Sequence, residues 1–320
     1  MREEEVMFYS EGTNMSGILR LPDEQQQSYP VIVQGPGWLG LKDSKAYARF
    51  HEVFTQAGFA VFVLDYRGFG GSGGTKDFIN PFWQIEDIRN AISYLETRED
   101  IDRTRIGIYG SGGTGGGNAI YVGSMDDRVK TVVANVGIGN GFEWLRSMRR
   151  EYEWIAFLER LANDDLQWAK TGEGERVSPN GDIMVPTPER KTTHYKRDVD
   201  DRIPNKVYLR SARHLLNYRP EDVVHKISPR PLLLICVEND AVTPADQSWN
   251  LFHKAGGPKR LVVQKSTTHY AAYEKYFSEI STEIVRWFDN YLRPQDVVTR
   301  QSTLATTNEA DIVVLRSDDA

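Results

Sequence analysis

Short apolar runs punctuate the chain at Val31-Ile32-Val33, Ala60-Val61-Phe62-Val63-Leu64, Ile106-Gly107-Ile108-Tyr109, Thr131-Val132-Val133-Ala134 and Leu232-Leu233-Leu234-Ile235. Each is too apolar to have a wet face, which predicts central strands buried on both sides. Between the second and third runs, Phe82, Ile85, Ile88, Ile92 and Leu95 recur at helical spacing, opposed by Glu86, Asp87, Arg89 and Asn90. That pattern predicts a crossover helix. The segments Tyr47 to Gly58 and Glu279 to Leu292, the latter with Ile284, Val285, Phe288 and Tyr291, predict two more. Short strands alternating with amphipathic helices, with no internal repeat, predict an α/β fold: a mostly parallel central sheet with helices on both faces.

The rhythm breaks between residues 140 and 225. Trp144, Met148, Tyr152, Trp154, Phe157, Leu158 and Trp168 are mixed with many charges there, and Gly172 to Pro188 is polar and rich in Pro and Gly. Because the run at Leu232 resumes the same sheet, this stretch reads as a largely helical cap inserted into the core rather than as a second independent domain. The core then comprises residues 1–139 and 226–293. Residues 294–320 are mostly polar and read as a C-terminal tail, with one apolar patch at Ile312 to Leu315 that could dock on the body.

Composition narrows the function classes. A chain of 320 residues with 40% hydrophobic content can bury a sizeable core, and a formal charge of −6 gives no electrostatic reason to bind nucleic acid or an acidic membrane surface. The acidic start Met1-Arg2-Glu3-Glu4-Glu5 lacks the features of a secretion signal, and no stretch reaches the roughly 18 apolar residues of a membrane span, so a cytoplasmic protein is expected. The single cysteine, Cys236, sits in an apolar run; it reads as a core residue and leaves no thiolate metal site. The expected partner is a small-molecule substrate, with no cofactor and no metal. A homodimer stands open beside a monomer.

In an open parallel sheet, reactive groups collect in loops at the carboxyl ends of the strands. Here these loops are Gln34-Gly35-Pro36-Gly37-Trp38-Leu39-Gly40, Asp65-Tyr66-Arg67-Gly68-Phe69-Gly70, a glycine-rich turn after Tyr109, and Glu238-Asn239-Asp240; Thr267-Thr268-His269-Tyr270 precedes the last long helix. In this order they resemble the α/β-hydrolase superfamily, and within it the dienelactone-hydrolase-like and X-Pro-peptidase-like esterases. The resemblance covers roughly residues 5 to 293. It also rests on Arg105-Ile106-Gly107-Ile108-Tyr109-Gly110, similar to the approach to a nucleophile elbow, and on Arg219-Pro220-Glu221-Asp222 through Pro229-Arg230-Pro231, similar to the lead-in to the acid strand. By this resemblance Asp240 takes the position of a triad acid and His269 that of the base. An imidazole near neutral pKa can accept a proton from a nucleophile or from water, while the carboxylate fixes its tautomer. The other histidines, His51, His194, His214, His225 and His253, match no motif position.

The elbow departs from the family pattern. The resemblance places the nucleophile two residues after Gly110, at Gly112, in the run Gly110-Ser111-Gly112-Gly113-Thr114-Gly115-Gly116-Gly117. Three readings stand open. A one-residue shift makes Ser111 the nucleophile; the spacing Gly112-Gly113-Thr114-Gly115-Gly116 puts Thr114 in the serine slot; or there is no covalent nucleophile, and His269 with Asp240 activates water or abstracts a substrate proton. A dinucleotide-binding turn is disfavoured by the absence of Gly-x-Gly-x-x-Gly in the first strand-helix unit. Backbone N–H groups of Trp38 and Gly113, beside Gly112, are expected to form the oxyanion site. Trp144, Tyr152, Trp154 and Trp168 either line an aromatic chamber or pack the cap on the body, and Arg146, Arg149 and Arg150 either receive a carboxylate or form a solvated face. The sequence thus points to a cofactor-independent hydrolase of an ester, lactone, thioester or activated C–C bond in a small, fairly apolar metabolite, with Ser111 the leading nucleophile candidate. A lyase, cyclase or dehydratase using His-Asp proton transfer is the alternative, and a catalytically silent binding protein a third.

Overall fold

A computed structural model of the chain describes residues 1–192, 202–293 and 310–316. Strands β1 (Arg2–Ser10) and β2 (Thr13–Leu21) form a hairpin, after which β3 (Tyr29–Gly35), α1 (Lys45–Gln56), β4 (Ala60–Leu64), α2 (Pro81–Leu95), β5 (Ile101–Ser111), α3 (Gly113–Met125) and β6 (Val129–Asn135) alternate. Between β6 and the next strand of the main sheet lie α4 (Gly141–Ser147), α5 (Glu151–Thr171), β7 (Arg176–Val177), α6 (Pro188–Thr192), β8 (Val207–Tyr208) and α7 (Ser211–Leu216). The core resumes with β9 (Leu232–Val237), α8 (Ala245–Lys254), β10 (Lys259–Gln264), α9 (Ala272–Lys275), α10 (Phe277–Leu292) and β11 (Ala310–Leu315).

The main sheet has the order β1-β2-β4-β3-β5-β6-β9-β10-β11, antiparallel at β1/β2 and β2/β4 and parallel elsewhere. All five apolar runs form its interior strands. Alternate residues of one strand serve opposite faces: Val31 and Val33 join the cluster under α2 and α3, whereas Ile32 joins the one under α1 and α10. That double burial is why the runs show no polar alternation. The chain steps from β3 to β4 on one side and returns to β5 on the other, so the loops leaving β3 and β5 are neighbours at a topological switch point.

One expectation is corrected, and two others are met. Asp87, placed on the polar face of its helix, is fully buried in α2, where it accepts from Arg67 Nη2 at 2.7 Å and Ser10 Oγ at 2.7 Å. The apolar patch of the tail docks: β11 extends the sheet in parallel register with β10. The remainder of that tail, and His194, lie outside the described residues. Cys236 is buried in the core, and burial pushes its thiol up to about 12. Among the described residues no helix is long and apolar enough to cross a membrane.

Helix α1 is tied to the sheet through His51, which is fully buried. Its Nδ1 accepts from Arg20 Nη1 at 2.6 Å and its Nε2 donates to Gln34 Oε1 at 2.5 Å. Burial, and then the adjacent Arg20 charge, hold its pKa well below the ordinary value of 6.5. The unfolded chain therefore takes up a proton here before the folded one does, so this group's stabilisation is complete above about pH 6.5 and is lost as pH falls below it. In urea unfolding between pH 7 and pH 5, His51→Gln is expected to remove a destabilising slope of up to about 1.4 kcal/mol per pH unit. An unchanged slope would contradict this account.

Candidate active site

Strand β5 ends at Ser111, and the chain reverses into α3 at Gly112, whose φ of 78° and ψ of 167° lie in a region essentially restricted to glycine. Gly112 N–H donates to Asn135 O of β6 at 3.0 Å, and Gly112 O accepts from Gly116 N–H at 2.8 Å. Successive glycines cost a helix about 1 kcal/mol each relative to alanine. Close approach explains their presence: a Cβ on Gly116 would stand 2.5 Å from Gly137 Cα, so any side chain there would lift α3 off the exit of β6. At Gly112 the situation is opposite. A Cβ there would meet Gly37 Cα alone, at an ordinary 3.6 Å, and Gly112 lines the pocket.

Asp240 and His269 meet beside this turn. His269 Nδ1 and Asp240 Oδ2 are 2.6 Å apart, both residues being buried. The other oxygen, Asp240 Oδ1, accepts backbone N–H groups of Val242 at 2.7 Å and Thr243 at 2.8 Å. With one oxygen held by the turn, the second is fixed on the imidazole. A carboxylate accepting from Nδ1–H would fix the tautomer that leaves the Nε2 lone pair free. His269 lines a pocket of about 700 Å³, its open mouth included, a size suited to a small molecule.

Trp38, Gly112, Gly113, Ser111 and His269 all line that pocket. Ser111 Oγ pairs with Tyr273 Oη at 3.2 Å; among the described residues, the His269 side chain hydrogen-bonds Asp240 alone. Thr114 lies in the first turn of α3, buried and away from the pocket lining. Gly113 is the first residue of α3, so its N–H has no partner within the helix, and neither it nor Trp38 N–H donates to a backbone acceptor among the described residues. Thr243 Oγ1 is buried in the wall without a hydrogen-bond partner.

The cap aromatics divide. Trp144 lines the pocket, set edge-on to Trp38 with ring centres 5.7 Å apart, and its Nε1 donates to Val242 O at 2.9 Å. Trp154 packs against Phe142 and Phe157, Trp168 against Tyr208, and Tyr152 is exposed. None of the three arginines singled out in the sequence lines the pocket: Arg146 pairs with Glu151, and Arg149 donates to the carbonyls of Leu145, Asp182 and Ile183. Arg190 does line it, together with Tyr47, Met184, Tyr270 and Tyr273. Tyr273, four residues after His269, follows from the spacing of a helical turn; nothing local marks Arg190. Among the described residues no group of three or more His, Cys, Asp or Glu side chains is arranged to hold a metal ion.

Residues 40–276 match the family described as Hydrolase_4, serine aminopeptidase, S33. The chain belongs to that family of α/β hydrolases. This S33-family hydrolase is 29% identical to a 31.7 kDa protein of the traX-finO intergenic region of Escherichia coli, over 88% of its own length and 97% of the relative's. It is 23% identical to a thiohydrolase of Eupenicillium brefeldianum over 82% and 86% of the two chains. The solved structure of the alpha/beta hydrolase GrgF from Penicillium sp. superposes with a TM-score of 0.76 at 20% identity, covering 91% of this chain and 99% of that one, which shows the shared fold. The superfamily is the one expected; the dienelactone-hydrolase-like branch finds no support in the match.

Asp240→Asn keeps an oxygen for the backbone N–H groups but offers an amide to His269, forcing its proton to Nε2 and removing the base. Steady-state hydrolysis of a p-nitrophenyl ester is expected to show kcat lowered by about 10³–10⁴-fold with KM changed only a few-fold. A variant with near-normal kcat would remove Asp240 from catalysis.

Proposed function

We propose that this hydrolase cleaves an ester, lactone or thioester of a small, largely apolar acyl compound by direct attack of water, with His269 as general base and no acyl-enzyme. The observation that carries this reading is Gly112: the elbow position that would present a nucleophile is a glycine, in a glycine-specific conformation, opening into the pocket that His269 lines. Water standing over Gly112 gives its proton to His269 Nε2 as its oxygen bonds to the carbonyl carbon. The resulting oxyanion is held by the N–H groups of Trp38 and Gly113, and His269 returns the proton to the leaving oxygen or sulfur as that bond breaks. Trp38, Trp144, Met184 and Val242 supply the apolar wall for the acyl chain. The thiohydrolase among the relatives supports including thioesters.

A second reading is favoured by one observation: Ser111 lines the same pocket, its hydroxyl in hydrogen-bond contact with Tyr273 Oη. In that case Ser111 forms an acyl-enzyme. The two part on covalent chemistry. Direct attack by water predicts no labelling by a fluorophosphonate, no burst of p-nitrophenol, ester turnover within about tenfold of wild type in Ser111→Ala and Thr114→Ala, and a loss of about 10²–10⁴-fold in His269→Ala. A label on Ser111 together with inactivity of Ser111→Ala establishes the second reading. Failure of the wild type to hydrolyse any ester or thioester overturns both and leaves proton transfer by the His-Asp pair as the chemistry to test.

A further inference from the structure

Among the described residues, one pocket-lining cation has no counter-ion. Arg190, on α6 of the cap, lines the pocket, and no described carboxylate forms an ion pair with its guanidinium. Its hydrogen bonds go to neutral acceptors, from Nη1 to Tyr270 Oη at 2.7 Å and from Nη2 to Asn180 Oδ1 at 3.1 Å. Asn180 Oδ1 is shared with Trp38 Nε1, at 2.9 Å, so the arginine is fixed against the pocket's aromatic wall. Burial keeps the Tyr270 hydroxyl above its ordinary pKa, with Arg190 opposing it, and Tyr270 remains a neutral phenol at pH 7. The remaining N–H donors of the fork have no acceptor among the described residues.

A purely structural duty accounts poorly for this charge. The loop carrying His269 is already held to α6 by the neighbouring Glu189, which accepts from Thr268 Oγ1 and from Tyr270 N–H at 3.1 Å. A neutral donor would serve Tyr270 equally well, whereas a fixed planar cation beside tryptophans suits a carboxylate, which a guanidinium grips with two parallel hydrogen bonds. Among the described residues Arg190 is the one Lys or Arg that lines the pocket, which suits a monoanion better than a phosphate dianion.

We infer that Arg190 binds a carboxylate of the substrate, which makes the substrate an acidic ester or thioester: an apolar segment against Trp38 and Trp144, with a carboxylate at the end away from the scissile bond. This rests on the reading of His269 as the base of a hydrolase, and a binding measurement separates the two. Titration calorimetry with 4-phenylbutyrate, 4-phenylbutyramide and 2-phenylethyl phosphate is expected to show the carboxylate bound at least about tenfold more tightly than the amide by the wild type, equally with it by Arg190→Gln, and with preference partly kept by Arg190→Lys. In parallel, kcat/KM for p-nitrophenyl hemiglutarate over p-nitrophenyl valerate should fall at least about tenfold in Arg190→Gln, through KM. Equal binding of acid and amide by the wild type, binding of neither, tighter binding of the phosphate, or an equal loss on both esters in Arg190→Gln overturns the assignment. If binding follows Arg190 but no ester is hydrolysed, the anion site stands and the hydrolase reading fails.

Discussion

Helix α3 begins within van der Waals reach of the strands that flank it, and the whole catalytic corner is laid out around that approach. A Cβ on Gly116 would collide with Gly137 where the chain leaves β6, and Gly112 is pinned to β6 through its N–H bond to Asn135 O. Relaxing this contact would move the first N–H groups of α3 away from the end of β3, where Trp38 stands. The glycine run is thus a packing requirement before it is a catalytic one, at a cost in helix propensity of about 1 kcal/mol per residue that burial of the helix offsets.

The same constraint separates two properties that the sequence presents as one. In a strained elbow, a nucleophile's side chain is held out over the pocket by a backbone that disfavours it. Gly112 retains the reversal and places no side chain on it; its φ of 78° combined with ψ of 167° lies where a residue bearing a Cβ rarely goes. Ser111, one residue earlier, belongs to the strand and makes its contact with Tyr273. Meanwhile Asp240 is held by two backbone N–H groups and aligned on His269 as firmly as if it served a covalent nucleophile. A pair so well oriented is costly to assemble, since it buries a carboxylate and an imidazole together.

Interior strands were legible because burial on both faces writes itself as unbroken apolar runs. The sheet's outer strands were not. In β1, buried positions alternate with exposed ones only in its second half, after three successive glutamates; β10 opens on Lys259 and Arg260. Asp87 misled because a carboxylate in an amphipathic helix reads as solvated, and only the long-range partners Arg67 and Ser10 make its burial tolerable. At the site, Asp240 and His269 were readable from their order along strand ends. Arg190 was not, because its place depends on a short cap helix folding back over loops more than 70 residues away in sequence, as its hydrogen bond to Tyr270 shows.

That folding back ties the segment between β6 and β9 to the loops around the pocket. Glu189 and Arg190 bind the loop that carries His269, through Thr268 and Tyr270. Trp144 binds Val242 O in the turn that holds Asp240, and Asn180 binds the Trp38 indole. One segment thereby touches the loops of His269, Asp240 and Trp38, each by hydrogen bonds rather than by apolar contact alone. Hydrogen bonds are directional, so a displaced cap would misalign these three loops, whereas a greasy lid would merely slide. The pocket's wall and the position of His269 are in this way set by the same residues, and a change at Arg190 that enlarges the pocket also reaches the loop of His269.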